Sequence, residues 1–271
     1  DTIMTPKDSI IYYKHMLQTG MMAMEPRTGH IKAWVGGVNY KYFQYDHVGQ
    51  GARQVGSTFK PFVYATAIEQ LKMSPCDSII DSYFTMPKGK WGIDKDWSPK
   101  NSDGKYRGTI RLNQALANSV NTVSAKLIDR VGPKAVVDMV KELGVTSKIP
   151  EQPSIALGAV DITVEEMVGA MSTFANQGVY VKPTFIIKIE DKNGVVIDQP
   201  IPYQKDVVNK DVAYAVIKLM EGVKESGTGA RLKYGGGGFI QYDYSFPNAV
   251  AGKTGTSQNN SDGWFIGMVP N

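Results

Sequence analysis

Strand-forming segments lie near both ends of this 271-residue chain, and most of the sequence between them favours helices. Near the start, residues 20–24 and 31–35 are mostly apolar and flank a glycine-containing loop, a pattern typical of a β-hairpin. Near the end, residues 250–256 and 264–269 are predicted strands joined by a polar turn. This order predicts an α+β fold, in which one antiparallel sheet is formed from both chain ends and a mostly helical subdomain is inserted.

Helical patterns fill the middle of the chain. A helix-start signal at residues 5–8, a cap residue followed by proline, precedes a helix predicted at 9–18. Further helices are predicted from 57 onwards and at 112–118, 121–131, 134–143, 164–175 and 212–223. The helix from residue 57 is apolar on nearly all sides, so we expect it in the middle of the fold. A second hairpin is predicted at residues 184–190 and 195–197, and the glycine run at 235–238 is predicted to be a loop.

The residue types narrow the possible chemistry. The chain has one cysteine, Cys76, so it can form neither an internal disulfide nor a cysteine-built zinc site. All three histidines lie before residue 48, which disfavours a Ser-His-Asp enzyme and a histidine-rich metal site. The net charge of +4 is too diffuse for a nucleic-acid footprint. No apolar run reaches the roughly 18 residues that a membrane-spanning helix needs.

The first motif, Ser57-Thr58-Phe59-Lys60, lies at the predicted start of a helix. Residues i and i+3 share a helix face, so we expect the Ser57 hydroxyl and the Lys60 amine to lie within reach of each other. A lysine with a lowered pKa can activate such a nucleophile, and the helix N-terminus favours a developing oxyanion. The alternative is a capping serine beside a solvated lysine, and residues 102–105 match the same pattern in a loop sequence.

The second motif, Ser119-Val120-Asn121, lies at the break between two predicted helices. A hydroxyl and an amide on a short connection can project into a cleft, where the serine relays a proton and the asparagine binds a substrate amide. The alternative is that residues 118–121 only cap the helices, and residues 257–259 fit the same S-x-N pattern.

The third motif is the sequence KTGT at residues 253–256, inside a predicted strand. Glycine in a strand indicates close approach of another backbone or of a ligand, and the lysine and threonines suit a carboxylate. The alternative is an edge strand protected by its lysine. A phosphate-binding loop is excluded, because Pro247 stands where that motif needs glycine and Gly255 disfavours the helix that must follow.

Together and in this order, S-x-x-K, S-x-N and K-T-G are typical of penicillin-binding proteins and class A β-lactamases. Further segments match class A penicillin-binding proteins: Arg53–Phe62, Trp97–Asn101, Arg107–Thr109, Ala115–Thr122, Gly227–Ala230 and Asp262–Phe265, with the hairpin around Glu25–Gly29. Over nearly its whole length, the chain resembles the transpeptidase domain of class A (bifunctional) penicillin-binding proteins. The resemblance implies a penicillin-binding and serine β-lactamase-like fold.

The resemblance implies a D,D-transpeptidase that cross-links peptidoglycan stem peptides and is inhibited by β-lactams. Ser57 would attack a D-Ala-D-Ala terminus and release D-Ala, and an amine of a second stem peptide would resolve the acyl-enzyme. Lys60 would accept the Ser57 proton, its charged form being disfavoured by burial and by Lys253. Ser119 would pass a proton to the leaving amine, and Asn121 would orient the donor amide.

The resemblance also implies the substrate contacts. Lys253, Thr254 and Thr256 would hold the terminal carboxylate, and Gly255, between the two threonines, would belong to the same substrate-binding segment. The backbone N–H groups of Ser57 and Thr256 would form the oxyanion hole. The donor peptide would lie along this strand as an added β-strand. Neither a cofactor nor a metal is implied.

Other functions are compatible with parts of the same motif pattern. Class A β-lactamases deacylate with a glutamate in an E-x-x-L-N pattern, which is absent here, and residues 165–166 are predicted to begin an exposed helical face. A D,D-carboxypeptidase, which transfers the acyl group to water, is an open alternative. A non-catalytic penicillin-sensing domain or a cell-wall binding module is disfavoured by the intact motifs.

We expect a single transpeptidase domain at residues 1–271, with a sheet subdomain at about 1–56 and 180–271 and a helical one at about 57–179. By comparison with class A proteins, we expect residues 1–271 to include neither the glycosyltransferase domain, nor the membrane anchor, nor the final strand and helix. A gap is therefore expected in the sheet between the N-terminal hairpin and the two strands around Lys253, unless another chain fills it. The family implies the extracytoplasmic face of the bacterial inner membrane, in the periplasm, with stem peptides and β-lactams as partners and no nucleic acid.

Overall fold

The structure is a computed structural model that describes residues 3–234 and 246–270, so the glycine run at 235–238 lies outside the described residues. The helices are α1 (Pro6–Lys14), α2 (Lys60–Leu71), α3 (Leu112–Ala117), α4 (Asn121–Val131), α5 (Pro133–Glu142), α6 (Val164–Ala175), α7 (Lys210–Glu225) and α8 (Arg231–Tyr234). Across the described ranges, no helix is both long and apolar enough to span a bilayer.

The strands are short and all paired antiparallel. They are β1 (Met21–Met24), β2 (Ile31–Val35), β3 (Arg53–Gln54), β4 (Ser78–Asp81), β5 (Gly108–Arg111), β6 (Asp161–Ile162), β7 (Val179–Val181), β8 (Ile189–Glu190), β9 (Val196–Asp198), β10 (Gln204–Asp206), β11 (Ala251–Thr256) and β12 (Gly263–Met268). Single 3₁₀ turns lie at Gly56–Phe59, Lys90–Gly92, Pro153–Leu157 and Gln258–Asn260.

The core is built around α2, in which every residue of Lys60–Ile68 is buried. This helix packs against α4, α5 and α7. Phe62 lies between Phe59 and Phe174, with ring centroids 5.4 and 6.0 Å away. A helix that is apolar on all sides must be surrounded by other elements, so the central position predicted for this segment is confirmed.

Most predicted elements are confirmed to within a few residues, and two differ. The start of the first helix is confirmed, since the Thr5 side chain accepts a hydrogen bond from the Asp8 N–H and caps it, but the helix ends at Lys14 and not at residue 18. The hairpin predicted at 184–190 is shorter, since the backbone of Thr184 bonds to Gly29 and Ile31 instead, at 2.8 Å each. Only β8 and β9 remain of that hairpin.

The hairpins from the two chain ends are separate in the structure. Within the described residues, β1 pairs only with β2, and β11 only with β12. A groove of about 1070 Å³ lies between them, lined by residues of β1, β12 and α6. The sequence leads us to expect a gap at this place, and a strand that fills it stays a prediction, as does the division into two subdomains.

Candidate active site

The turn that carries Ser57 is the 3₁₀ helix Gly56–Phe59, which leads directly into α2. The N–H of Lys60 donates to the carbonyl of Ser57, and residues three apart in a 3₁₀ turn are eclipsed. The two residues therefore lie on the same side of the turn. The caps of these helices are Val55 and Phe59, so Ser57 is not a capping residue. Lys60 is fully buried, which excludes a solvated lysine.

The break between α3 and α4 supplies three oxygen atoms to Lys60. The Lys60 Nζ lies 2.6 Å from Ser119 O, 2.7 Å from Asn121 Oδ1 and 3.1 Å from Ser119 Oγ. Ser119 has a φ of 54°, a left-handed conformation that costs energy outside glycine. Residues 119 and 121 therefore contact the first motif directly, and they do more than cap the helices.

β11 brings a second buried amine to the same hydroxyl. The Lys253 Nζ lies 3.0 Å from Ser119 Oγ and 2.9 Å from the carbonyl oxygen of Thr254. Burial lowers the pKa of Lys253 to about 7. Burial, with the nearby charge of Lys253, holds the pKa of Lys60 well below its usual value. Lys253 is fully buried, so it does not protect an exposed strand edge.

The hydrogen-bond partners restrict where protons can lie. A neutral lysine amine has two N–H donors and one lone pair. Ser119 O can only accept, and Asn121 Oδ1 faces Lys60 because its Nδ2 donates to Lys100 O at 2.8 Å. A neutral Lys60 therefore uses both N–H groups on these two oxygens, and its lone pair is left to accept a hydroxyl proton. The Ser119 hydroxyl, between both amines, can relay a proton from one to the other.

Main-chain segments approach each other closely around Ser57. A Cβ atom on Gly56 would lie 2.6 Å from Thr256 O and 3.1 Å from Thr256 N. A Cβ atom on Gly158, whose φ is +77°, would lie 1.8 Å from Gly56 O. Glycine at both positions thus allows the chain at Ser57 to rest against the chain at Thr256. These are the two segments whose N–H groups form the predicted oxyanion hole.

The predicted carboxylate contacts lie at the rim of the site. Thr254 is half-buried and Thr256 is exposed, so both remain accessible from solvent. The Thr254 and Thr228 hydroxyl oxygens lie 2.5 Å apart, and the Thr228 N–H donates to Ala117 O at 3.0 Å. The sequence indicated Thr228 only as part of a matching segment, without a role. The structure places its hydroxyl directly beside the third motif.

An ion pair ties the turn after β11 to the strand before Ser57. Arg53 Nε donates to Asp262 Oδ1 at 2.7 Å. The Ser257 hydroxyl donates to Asp262 Oδ2 at 2.9 Å and accepts from the Asp262 N–H at 2.8 Å. The S-x-N pattern at 257–259 therefore serves this turn, whereas residues 102–105 lie exposed in a loop.

The expectation that residues 165–166 begin an exposed helical face is wrong, because both glutamates are half-buried and Glu166 is held by hydrogen bonds. Its carboxylate accepts hydrogen bonds from Thr146, Ser147 and Thr163, and it forms a capping box at the start of α6. Burial alone would raise the pKa of Glu166, but these hydrogen bonds outweigh it and lower the pKa to about 2. A carboxylate engaged in this way holds α6 against a neighbouring loop.

Sequence reasoning did not identify two buried polar residues next to the second motif. Asp81 and Asn101 are 1% and 6% exposed, and both bond to the start of α4. A signal was available, because Asp81 follows the apolar Ile79 and Ile80 in a strand, where a charge needs partners. Gly158 was also missed, since a single glycine among small residues gives little indication of a close backbone contact.

Comparison with known sequences identifies similar proteins. The penicillin binding protein transpeptidase domain matches residues 19–271. Penicillin-binding protein 1A of Aquifex aeolicus is 34% identical over 256 residues, which cover 94% of this chain and 33% of that protein. Penicillin-binding protein 1A of Neisseria flavescens is 36% identical over 262 residues, covering 94% of this chain and 31% of that protein. The chain thus spans about a third of the length of these relatives.

Solved structures share the fold. The crystal structure of penicillin-binding protein 1A from Haemophilus influenzae superposes with a TM-score of 0.82 at 24% identity, covering 92% of this chain and 41% of that chain. The PonA1 protein from Mycobacterium tuberculosis, in complex with penicillin V, gives a TM-score of 0.74 at 26% identity, covering 97% of this chain and 70% of that chain.

Proposed function

The chain belongs to the penicillin-binding protein transpeptidase family, and on that premise we propose that it is a serine D,D-transpeptidase that cross-links peptidoglycan stem peptides. One observation carries the proposal: the Ser119 hydroxyl lies between two buried amines, those of Lys60 and Lys253, and Lys60 follows Ser57 by one 3₁₀ turn. This set supplies a nucleophile, a base with a lowered pKa and a proton relay without histidine or metal.

Acylation begins with the proton of Ser57, which passes to the lone pair of neutral Lys60. The Ser57 oxygen forms a bond to the carbonyl carbon of the penultimate D-Ala, and the negative charge on the carbonyl oxygen is stabilised by the N–H groups of Ser57 and Thr256. The proton then moves from Lys60 through Ser119 to the leaving nitrogen. The C–N bond breaks, and D-Ala leaves. An acceptor amine resolves the acyl-enzyme by the reverse sequence of proton transfers.

Substrate contacts follow from the same geometry. The hydroxyls of Thr254 and Thr256 hold the terminal carboxylate of the donor, and the charge of the buried Lys253 attracts it without direct contact. The exposed side of the Asn121 amide orients the donor peptide group. β-Lactams carry a carboxylate near a reactive carbonyl, and they acylate the same serine. The PonA1 structure with penicillin V supports this choice of ligand. Cross-linking of stem peptides would take place at the extracytoplasmic face of the bacterial inner membrane.

Benzylpenicillin tests the nucleophile. The chain and its Ser57→Ala variant are incubated with the drug, and intact mass is followed for hours. We expect a stable adduct of one intact penicillin on the wild-type chain and none on Ser57→Ala, because the ester forms on the Ser57 oxygen. An adduct of equal yield on a folded Ser57→Ala sample would contradict the proposal.

The same experiment separates the alternatives. A transient adduct with continuing loss of drug would indicate a β-lactamase. A D,D-carboxypeptidase would release D-Ala from a D-Ala-D-Ala peptide with water as the only acceptor, whereas a transpeptidase would form a product of higher mass with an added amine. A stable adduct without D-Ala release from a peptide would favour a penicillin-sensing domain.

The pH dependence of acylation reports on Lys60. Only the neutral amine can accept the Ser57 proton, and burial together with Lys253 holds the pKa of Lys60 well below 10.5. We expect the second-order rate constant for benzylpenicillin to level off well below pH 10.5. A base with an ordinary lysine pKa would instead give a rate that rises about tenfold per pH unit through pH 9. Such a rise would contradict the assignment of Lys60 as base.

A further inference from the structure

A buried polar cluster of Asp81, Asn101 and Thr122 lies behind the second motif and takes no part in the chemistry described above. The Asp81 side chain is inaccessible to solvent. It accepts hydrogen bonds from Thr122 Oγ1 at 2.5 Å, from Asn101 Nδ2 at 2.8 Å and from the Arg107 N–H at 2.9 Å. Burial alone would raise the pKa of Asp81, but these hydrogen bonds outweigh it and lower the pKa. The cluster therefore holds a carboxylate anion inside the protein.

Asn101 connects this anion to the start of α4. Its Nδ2 donates to Asp81 and to Lys105 O, both at 2.8 Å, so its Oδ1 must face the other way. That oxygen accepts the N–H groups of Asn121 at 2.9 Å and of Thr122 at 3.2 Å. The residue in the N-cap position, Val120, has no side chain that can accept a hydrogen bond. A side chain from a distant loop thus caps the helix that carries Asn121.

The same loop orients the side chain of Asn121. Its Nδ2 donates to the backbone carbonyl of Lys100, the neighbour of Asn101, at 2.8 Å. An amide held by its nitrogen has its oxygen on the opposite side, where Lys60 Nζ lies 2.7 Å away. Residues 100 and 101 therefore fix both the backbone and the amide plane of Asn121. The anchor of this loop is the hydrogen bond between Asn101 and Asp81.

We propose that Asn101, held by the buried Asp81 carboxylate, is a positioning residue for acylation, which acts by keeping the Asn121 amide oxygen on Lys60. The inference rests on the proposed function, because it concerns the rate at which Ser57 is acylated. It adds a role for the Trp97–Asn101 segment, which the sequence singled out without one. Asn101 touches neither Ser57 nor Lys60 in the described contacts, so it acts through Asn121.

Asn101→Ala tests the proposal against a matched control in the same cluster. Thr122→Val removes one buried hydrogen bond to Asp81 but keeps the backbone N–H that Asn101 accepts. We expect Asn101→Ala to slow acylation by benzylpenicillin about 100-fold, the scale that a displaced catalytic group produces. Thr122→Val should change the rate less than about threefold although it lowers the melting temperature. Equal losses of rate in both variants would show a merely structural cluster and overturn the proposal.

A double-mutant cycle and a pH profile give readouts that stability alone would not move. If Asn101 acts through Asn121, then Asn101→Ala in an Asn121→Ala background should cost almost no further rate. The charged form of Lys60, which faces only Lys253 as a charged group in its described surroundings, also loses an acceptor when Asn121 turns away. The pH at which the rate constant of acylation falls on the acid side should therefore be lower in Asn101→Ala than in the wild-type chain. Additive rate losses, or a fall at an unchanged pH, would contradict the proposal.

A milder variant guards against a failure to fold. Asp81→Asn keeps the size of the side chain but places an N–H donor where one carboxylate oxygen accepts hydrogen bonds. We expect it to slow acylation in the same direction as Asn101→Ala, and a normal rate in both variants would overturn the proposal. A wild-type chain that forms no adduct on Ser57 would instead contradict the proposed function itself, so the two failures are distinguishable.

Discussion

Replacement of Lys253 by methionine is expected to slow acylation of Ser57 by about 100-fold or more and, at the same time, to stabilise the fold. The rate falls because Ser119 loses a cation that polarises its hydroxyl and the donor carboxylate loses its counter-charge. The stability rises because the native state keeps an amine with a pKa of about 7, whereas the unfolded chain returns it to 10.5. At pH 7 this difference opposes folding by about 4 kcal/mol.

Methionine removes that cost but also removes the hydrogen bonds to Ser119 and Thr254, each worth about 1 kcal/mol. We therefore expect a net gain of about 2 kcal/mol in the free energy of unfolding at pH 7, measured by urea denaturation. The gain should shrink as pH rises from 7 towards 10.5, because the unfolded wild-type chain then loses its proton too. The exposed lysine Lys141 offers the matched substitution Lys141→Met, which should leave both stability and acylation unchanged. A lower stability of Lys253→Met, at every pH, would contradict the explanation.

Gly158→Ala is expected to be among the most damaging small substitutions in the chain. Its Cβ would lie 1.8 Å from the carbonyl oxygen of Gly56, and its φ of +77° is unfavourable for alanine. The chain just before Ser57 would have to move, which separates it from Thr256. We expect a loss of about 3 kcal/mol or more in the free energy of unfolding, and little or no acylation in the molecules that fold.

Gly194→Ala provides the control for this prediction. Gly194 has a similar φ of +83°, but nothing lies within 4 Å of the position that its Cβ would take. Alanine there bears only the backbone cost of about 1–2 kcal/mol and should acylate at the wild-type rate. The difference between the two variants isolates the steric contact at Gly56. Equal losses of stability, together with normal acylation in Gly158→Ala, would show that the chain around Ser57 can yield without consequence.

Local patterns were sufficient to predict most elements of the fold. The apolar surface of the helix from residue 57 predicted its central position, and the helical pattern of residues 164–175 predicted α6 with the bounds that it has. The hairpin at residues 184–190 was predicted too long, because its first residues pair with a segment about 150 positions away, a contact that no local pattern reveals. The relative position of the two terminal hairpins also depends on contacts between residues far apart in sequence.

In the candidate site, too, local patterns predicted the residues and non-local contacts escaped prediction. The three motifs predict which groups react. The structure joins Lys60, Ser119, Asn121 and Lys253 by hydrogen bonds, one 3₁₀ turn after Ser57. The sequence did not reveal what holds these residues in place. Asn101 bonds to Asn121 and Gly158 lies against Gly56, and both partners are remote in sequence. Glu166 was misjudged for a related reason: its partners at residues 146–147 come from another loop. Positioning contacts are long-range, whereas motifs are local.

The contact of both amines with one hydroxyl also has a consequence for folding. Ser119 is separated by 59 residues from Lys60 and by 134 from Lys253, so the three meet only after both long loops have closed. Such closures are slow and are completed late, whereas single helices form early. A fluorescent penicillin would therefore count finished molecules in a refolding sample, while circular dichroism would count helices. The interval between the two signals would time the final assembly of the domain.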